Sequence, residues 1–343
     1  VENRDRPDNE EKIMTVRFLT LLLCAASAFG AGAKTADTQW IADLGGNVIR
    51  DPQGHITGVN LRGTWVEDTD LRRLTELPDL TYLDLSLTHI TDQGMQEIKN
   101  LSNITELSLY FAEYVTDEGL AAVKDWKKLR RLNLHGTKIG DTALEHISGI
   151  ASLESLNVGA TLMTDVGLER LTMLSKLREL TMGGNELGDA GLQALRQMPG
   201  LTYLDLSGRQ GTDKNVWTVA MSDSGLEAVL TLKELRELRF SCTSIGVGIE
   251  GAKFGEVSLL KVTPKWLERI GSLSKLEKLK LQGCNRIDDD STRTLISMPH
   301  LREADLRGSS VTEKGAAALR AAKPGIVVFV GPWDAPSASY RNN

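Results

Sequence analysis

The chain has 343 residues, 41% of them hydrophobic and only 5% aromatic, with a formal net charge of -6. The apolar share suffices for a folded core, and the scarcity of aromatics points to packing built on leucine. The negative balance argues against binding nucleic acid through bulk charge, which needs an excess of Lys and Arg on one face.

Residues 1–33 read as upstream residues followed by a signal peptide. Val1 to Ile13 is charged and unlike a signal start. Met14-Thr-Val-Arg17 supplies a short positive start, Phe18 to Ala28 an apolar stretch, and Ala26-Ser-Ala28 and Ala31-Gly-Ala33 two small-residue cleavage sites. The stretch is too short to span a bilayer, and no other segment is long enough. Cys24 follows Leu23, not the small residue a lipid-anchor site wants. The expectation is a secreted or periplasmic protein with no membrane span, initiated at Met14.

Residues 34–55 read as an N-terminal cap. Thr38 to Leu44 suits a short helix. Asn47 to Arg50, the turn Asp51-Pro-Gln-Gly54 and His55 to Val59 suit a hairpin entering the first repeat.

From 56 to 330 one block recurs with a spacing near 24 residues. It reads Leu80-Thr-Tyr-Leu83-Asp-Leu85, Ile104-Thr-Glu-Leu107-Ser-Leu109, Leu129-Arg-Arg-Leu132-Asn-Leu134 and Leu153-Glu-Ser-Leu156-Asn-Val158. It continues at Leu177, Leu201, Leu235, Leu276 and Leu301, with weaker copies at Ile56 and Ile326. Leucines alternate with polar residues, the period of a strand. A Thr-Asp pair and an apolar pattern spaced three or four apart follow, which suits a helix capped by Thr or Asp. One strand and one helix cannot bury both apolar faces alone, whereas stacked copies can. A parallel sheet running along a solenoid is therefore expected. Three residues past the second strand leucine stands a small polar group: Thr64, Thr88, Thr137, Thr161, Asn185, Thr243, Cys284 or Ser309. Such a row is expected to satisfy buried backbone groups at the turn.

This pattern resembles the leucine-rich repeat family, in the bacterial variant with a Thr-Asp-x-Gly-Leu box, similar to GALA-type and F-box-associated repeats. The box stands at Thr91-Asp92-Gln93-Gly94-Met95, Thr116 to Leu120 and Thr164 to Leu168, with looser copies at Gly188 and Ser222. The resemblance implies an α/β leucine-rich repeat solenoid, a curved horseshoe with the parallel sheet on the concave face and helices on the convex face. It implies a binding role for the concave face.

Two insertions break the period, near 209–218 and near 246–261. Both fall between a strand and its helix in consecutive repeats. They are expected to emerge side by side on one rim, with Trp217 and Phe254 as contact anchors. The bland alternative is tolerated loop growth. The repeat itself does not need Arg209 to Thr218, so deleting them is expected to leave the fold intact. Residues 331–343 read as a mobile C-terminal tail.

The sequence offers little catalytic chemistry. Gly246-Val-Gly248-Ile-Glu-Gly251 matches a dinucleotide fingerprint by letter but lacks the strand and helix around it. Asp288-Asp-Asp290 lies where other repeats begin a helix. The five histidines share no metal-ligand spacing, and no nucleophile set can be assembled. No enzyme, cofactor or metal is expected. Cys242 and Cys284 sit one repeat position apart; two buried free thiols are expected, with a disulfide as the alternative.

The reading is thus an exported module that binds a protein partner through its concave face and an insertion-built rim. Its contact residues would be Tyr82, Tyr110, Tyr203, Trp217, Arg239, Phe254, Lys278 and Lys280. One rival is a glycan or cell-wall polymer, stacking on the three tyrosines and Trp217. Another is a component of a ubiquitin-ligase-type effector. The mixed charge of the concave face is unlike that of a nucleic-acid binder.

Overall fold

A computed structural model describes residues 37–208, 210–211, 216–242 and 261–333. The proposed signal peptide, Phe254 and nearly all of the second insertion lie outside the described residues. All the described elements lie in the unit that begins at Thr38.

A helix Gln39–Asp43 is followed by the antiparallel pair β1 (Asn47–Arg50) and β2 (Ile56–Asn60). Then come β3 (Tyr82–Asp84), β4 (Glu106–Ser108), β5 (Arg131–Asn133), β6 (Ser155–Asn157), β7 (Glu179–Thr181) and β8 (Tyr203–Asp205). A small antiparallel ribbon, β9 (Gln210–Gly211) and β10 (Val216–Trp217), interrupts the series. It resumes with β11 (Glu237–Ser241), β12 (Lys278–Gln282), β13 (Glu303–Asp305) and β14 (Val327–Phe329). From β2 to β14 the neighbours pair in parallel, giving one sheet of 12 strands with β1 on its outer side.

Register is fixed by the leucines. Leu83, Leu107, Leu132, Leu156, Leu180, Leu204, Leu238 and Leu279 lie opposite one another on successive strands. All are buried against the helix layer, each contributing roughly 2 kcal/mol of apolar burial. The period of two chooses the face, and the repeat length puts the same residue in the same place each time. This is the α/β leucine-rich repeat solenoid.

Each strand ends in a turn. Thr64 N donates to Leu61 O, Thr137 N to Leu134 O and Ser309 N to Leu306 O, each at 3.1 Å. The residue just before is left-handed, usually Gly: Gly63, Gly136, Gly184, Gly283 and Gly308. Leu87, Phe111 and Ala160 hold the same conformation, with φ of 56°, 51° and 49°, against the preference of side-chain-bearing residues. The polar row does what its position suggests. Thr64, Thr88, Thr137 and Ser309 hydroxyls donate to the strand carbonyl three residues back at 2.6–2.7 Å. Asn185 Nδ2 serves both Met182 O (2.9 Å) and Val158 O of the preceding repeat (2.7 Å).

The Thr-Asp-x-Gly box works between repeats as well as within them. The Thr caps its own helix: Thr91, Thr164 and Thr312 accept from the amide two residues on. The Asp turns to the next repeat. Asp92 accepts Thr116 N (2.7 Å) and Thr116 Oγ1 (2.6 Å), and Asp68 treats Thr91 likewise. The Gly is a spacer, because a methyl group on Gly94, Gly119, Gly167 or Gly191 would overlap the Asp of the preceding repeat.

Two expectations need correction. Cys242 and Cys284 are joined in a disulfide, with Cα atoms 4.6 Å apart. β11 and β12 pair over five residues, ending at Ser241 opposite Gln282. The left-handed turn at Gly283 then brings Cys284 back towards Cys242, absorbing the one-position offset. The first insertion is rooted in the fold. Gln210 is buried, and with its amide nitrogen turned inward it donates to Thr161 O (3.1 Å) and Gly184 O (3.2 Å). Ser207 and Gly208 lie over Gly183, where a methyl group would overlap the Ser207 carbonyl. Deleting the whole insertion would remove this anchor. At the other end Gly331 O accepts Gly308 N (2.7 Å), and the Trp333 ring packs on Gly283. Gly331 and Trp333 thus make contacts with the last repeats, and residues 334–343 lie outside the described residues.

Candidate binding surface at the strand ends

On the open face of the sheet, the residues proposed as ligand contacts divide into two groups. The first lies on β8, β11, β12 and β13. Tyr203 donates to Asp205 Oδ2 (3.2 Å), and Arg239 lies over the Tyr203 ring at 5.1 Å. Arg239 also pairs with Glu237 (2.7 Å) and Asp205 (3.7 Å). Lys278 sits between Glu237 (3.8 Å) and Glu303 (3.7 Å). Lys280 is buried, at 8% exposure. Asp305 takes Arg307 (2.6 Å) and Gln282 (2.8 Å).

Burial pushes the Asp205 carboxyl up, with Arg239 working against it. Burial works to raise Asp305 too, but its bonds to Arg307 and Gln282 prevail and hold it low. Burial favours a neutral Arg239, yet Tyr203, Asp205 and Glu237 keep it firmly charged. Arg239 and Lys278 thus spend their charge on neighbouring carboxylates. Trp217 is half-buried in the β10 segment of the ribbon.

The second group lies in the earlier repeats. Tyr82 faces Asp84 (3.5 Å), and Ser86 links Asp84 to Ser108 through a 2.8 Å hydroxyl contact. Burial, then Asp84 and Glu106, raise the Tyr82 phenol. Tyr110 stacks on His135 (5.2 Å, 13°), Phe111 meets both edge-on, and Arg62 lies over Tyr110 at 5.3 Å. Burial drives the His135 imidazole down to about 4, so it is neutral at pH 7.

Past the turns runs a row that the sequence reading did not single out. Trp65 stacks on His89 (5.1 Å, 3°), His89 meets Tyr114 (5.6 Å, 35°), and Lys138 lies over Tyr114 (5.8 Å). Trp65 is 78% exposed and Tyr114 52%. A shallow depression of about 330 Å³, lined by Trp65, Val66, Glu67, Asp68 and His89, lies beside it. Trp65, His89 and Lys138 each directly follow the buried Thr of their turn, and Leu162, also exposed, repeats the position. The signal was in the sequence: the residue after the turn is Trp65, His89, Lys138 and Leu162 in four repeats, with Glu113 at that place in a fifth and Tyr114 one residue further on. In those four repeats the side chain there is exposed, not part of the core.

Among the described residues no group of three or more His, Cys, Asp or Glu side chains is placed to hold a metal ion. No described helix is long and apolar enough to cross a membrane.

Residues 76–99 and 174–195 match the family model described as "Leucine Rich repeat". A Caenorhabditis elegans protein named "Putative RNA-binding protein EEED8.10" is 36% identical over 90 residues, which are 26% of this chain and 10% of that protein. The match thus spans about a tenth of the length of this relative. Among solved structures, an internalin (inlF) of Listeria monocytogenes superposes with a TM-score of 0.47 at 18% identity, covering 77% of this chain and 70% of its own. Internalin C2 (inlC2) of the same organism gives 0.39 at 18%, covering 80% of each. The two matched segments are leucine-rich repeats, and they lie within the repeat solenoid described above.

Proposed function

We propose that this chain is a protein-interaction module, exported from the cell, that takes its partner along the strand-end edge of its earlier repeats. The observation that carries this reading is the exposed row Trp65, His89 and Tyr114. Large aromatic side chains already held against one another lose little freedom on binding, so their contact area converts well into affinity. Tyr110, Phe111 and His135 form a second aromatic cluster in the same early repeats.

A protein suits the row better than a glycan. Trp65 and His89, stacked at an interplanar angle of 3° with Tyr114 beyond them and Lys138 over Tyr114, form the kind of preorganised mixed aromatic patch that anchors a protein partner. RNA, the ligand in the name of the nematode relative, suits it less, because Arg239, Lys278 and Arg307 are held by carboxylates. The disulfide supports export, since such bonds persist in oxidising compartments.

Photo-crosslinking decides the matter. A photoreactive residue replaces Trp65, Tyr114 or, as a counter-probe, Lys278, and the protein meets the surface and secreted proteins of its host. Adducts with one protein at 65 and 114, and few at 278, are expected. Adducts concentrated at 278, or binding only to a glycan array, would overturn the proposal.

A further inference from the structure

The Asp-to-next-repeat bonds run along the helix side without a gap from Asp68 to Ser222. They fail at the next two junctions. Asp223 would be expected to receive Thr263, the cap of the following helix. Its carboxylate takes Trp266 Nε1 (2.6 Å) and Arg269 (2.9 Å) instead. That following helix, Pro264–Ile270, has Pro264 where other repeats carry Asp, so it offers no acceptor to the repeat beyond. Trp266 stands where the spacer Gly would be. The series resumes only with Asp289, which accepts Thr312 N and Oγ1, both at 2.7 Å. The backbone of helix Pro264–Ile270 also keeps more distance from helices Asp223–Val229 and Thr292–Ser297 than other neighbouring helices keep from each other.

On the sheet side the same place is reinforced. β11 and β12 pair over five residues where the flanking parallel pairs use three. Just past these strands lies the Cys242–Cys284 bond, between the repeat of helix Pro264–Ile270 and the repeat of helix Thr292–Ser297. In a solenoid each repeat is held only by its neighbours, so cooperativity breaks first at the weakest interface. Beyond this seam lie three strands and two helices, a small block with little core of its own.

We infer that the Cys242–Cys284 disulfide stands in for the helix-side bond missing between helices Pro264–Ile270 and Thr292–Ser297, and that its reduction makes the block from Lys278 to Phe329 a separately unfolding unit. A dithiol reductant performs the step. One thiolate attacks a sulfur of the bond, forming a mixed disulfide and releasing one cysteine. The second thiol then displaces the other sulfur. Two electrons and two protons reach the protein, which is left with two thiols, and the reductant leaves as its own disulfide. The inference does not depend on the aromatic edge, which lies on the other side of the seam.

Hydrogen exchange of the full chain, read by mass spectrometry with and without dithiothreitol, tests it. On reduction the amides of β12 and β13 exchange at least about tenfold faster, while those of β3 to β8 stay within about twofold. The Cys242→Ser/Cys284→Ser double variant reproduces this without reductant. Should that variant not fold, titrating reductant into folded wild type decides alone. Faster exchange spread evenly along the sheet, no change at all, or three titratable thiols in the unreduced full chain instead of Cys24 alone would each overturn the inference.

Discussion

Asp141 of one repeat accepts both the backbone amide of Thr164 (2.9 Å) and its hydroxyl (2.6 Å) in the next. Gly167 lies against the same carboxylate, with no room for a methyl group between them. Gly167→Ala should therefore push Asp141 off Thr164 and destabilise the protein by about 1–3 kcal/mol, the usual range for a broken buried contact. Gly149 has nothing within 4 Å of where its Cβ would be. Gly149→Ala should be neutral or stabilise by about 0.5 kcal/mol. Urea melts of the pair check this, and equal midpoints would disprove the spacer role.

Gln210→Leu should leave Thr161 O and Gly184 O without their donor. The expected loss is about 1–3 kcal/mol, the penalty for unsatisfied buried groups. Replacing neighbouring residues of the ribbon that are not buried should cost far less. A Gln210→Leu protein that melts like wild type would return the insertion to ornamental loop growth.

His135 gives a pH dependence of known sign. Its folded value, about 4, lies below the usual imidazole value. The unfolded chain then binds the proton more readily, so this residue costs stability as pH falls below about 6.5, and the full cost is reached below about 4. The full cost is on the order of 3 kcal/mol at most. Denaturant midpoints at pH 7 and pH 4.5 should differ less for His135→Phe than for wild type. Parallel behaviour of the two proteins would show that the ring is not shielded.

Trp65→Ala and Tyr114→Ala should each weaken partner binding by at least about tenfold, or about 1.4 kcal/mol. Neither should shift the melting temperature much, because both rings are largely in solvent. Lys278→Ala should change binding little. Calorimetry with the crosslinked partner reads all three. The reverse ranking would move the contact to the later repeats.

The strands, their register and the polar row were legible because each is a local pattern repeated many times, such as Leu83 with Leu85 and Thr88. What escaped the sequence depends on the neighbouring repeat. Asp92 reads as a helix cap on its own, yet its partner Thr116 is one repeat on. The Trp65–His89–Tyr114 row crosses three repeats and joins residues that look unremarkable singly. The Cys242–Cys284 bond depends on β11 and β12 being longer than their neighbours, a length the leucine spacing does not announce. Gln210 hides within a polar stretch whose letters suggest only a loop.

The carboxylate-to-threonine link also bears on how such a chain can grow. A unit that ends in an acceptor and begins with a matching donor can follow any copy of itself, so whole units can be duplicated or lost without new fitting at the joint. Helix Pro264–Ile270 has forfeited that freedom. With Pro264 where the acceptor belongs, it offers no partner to the threonine of a copy placed after it. Copies of the ordinary unit can be added before it, but one added directly after it needs new fitting at the joint.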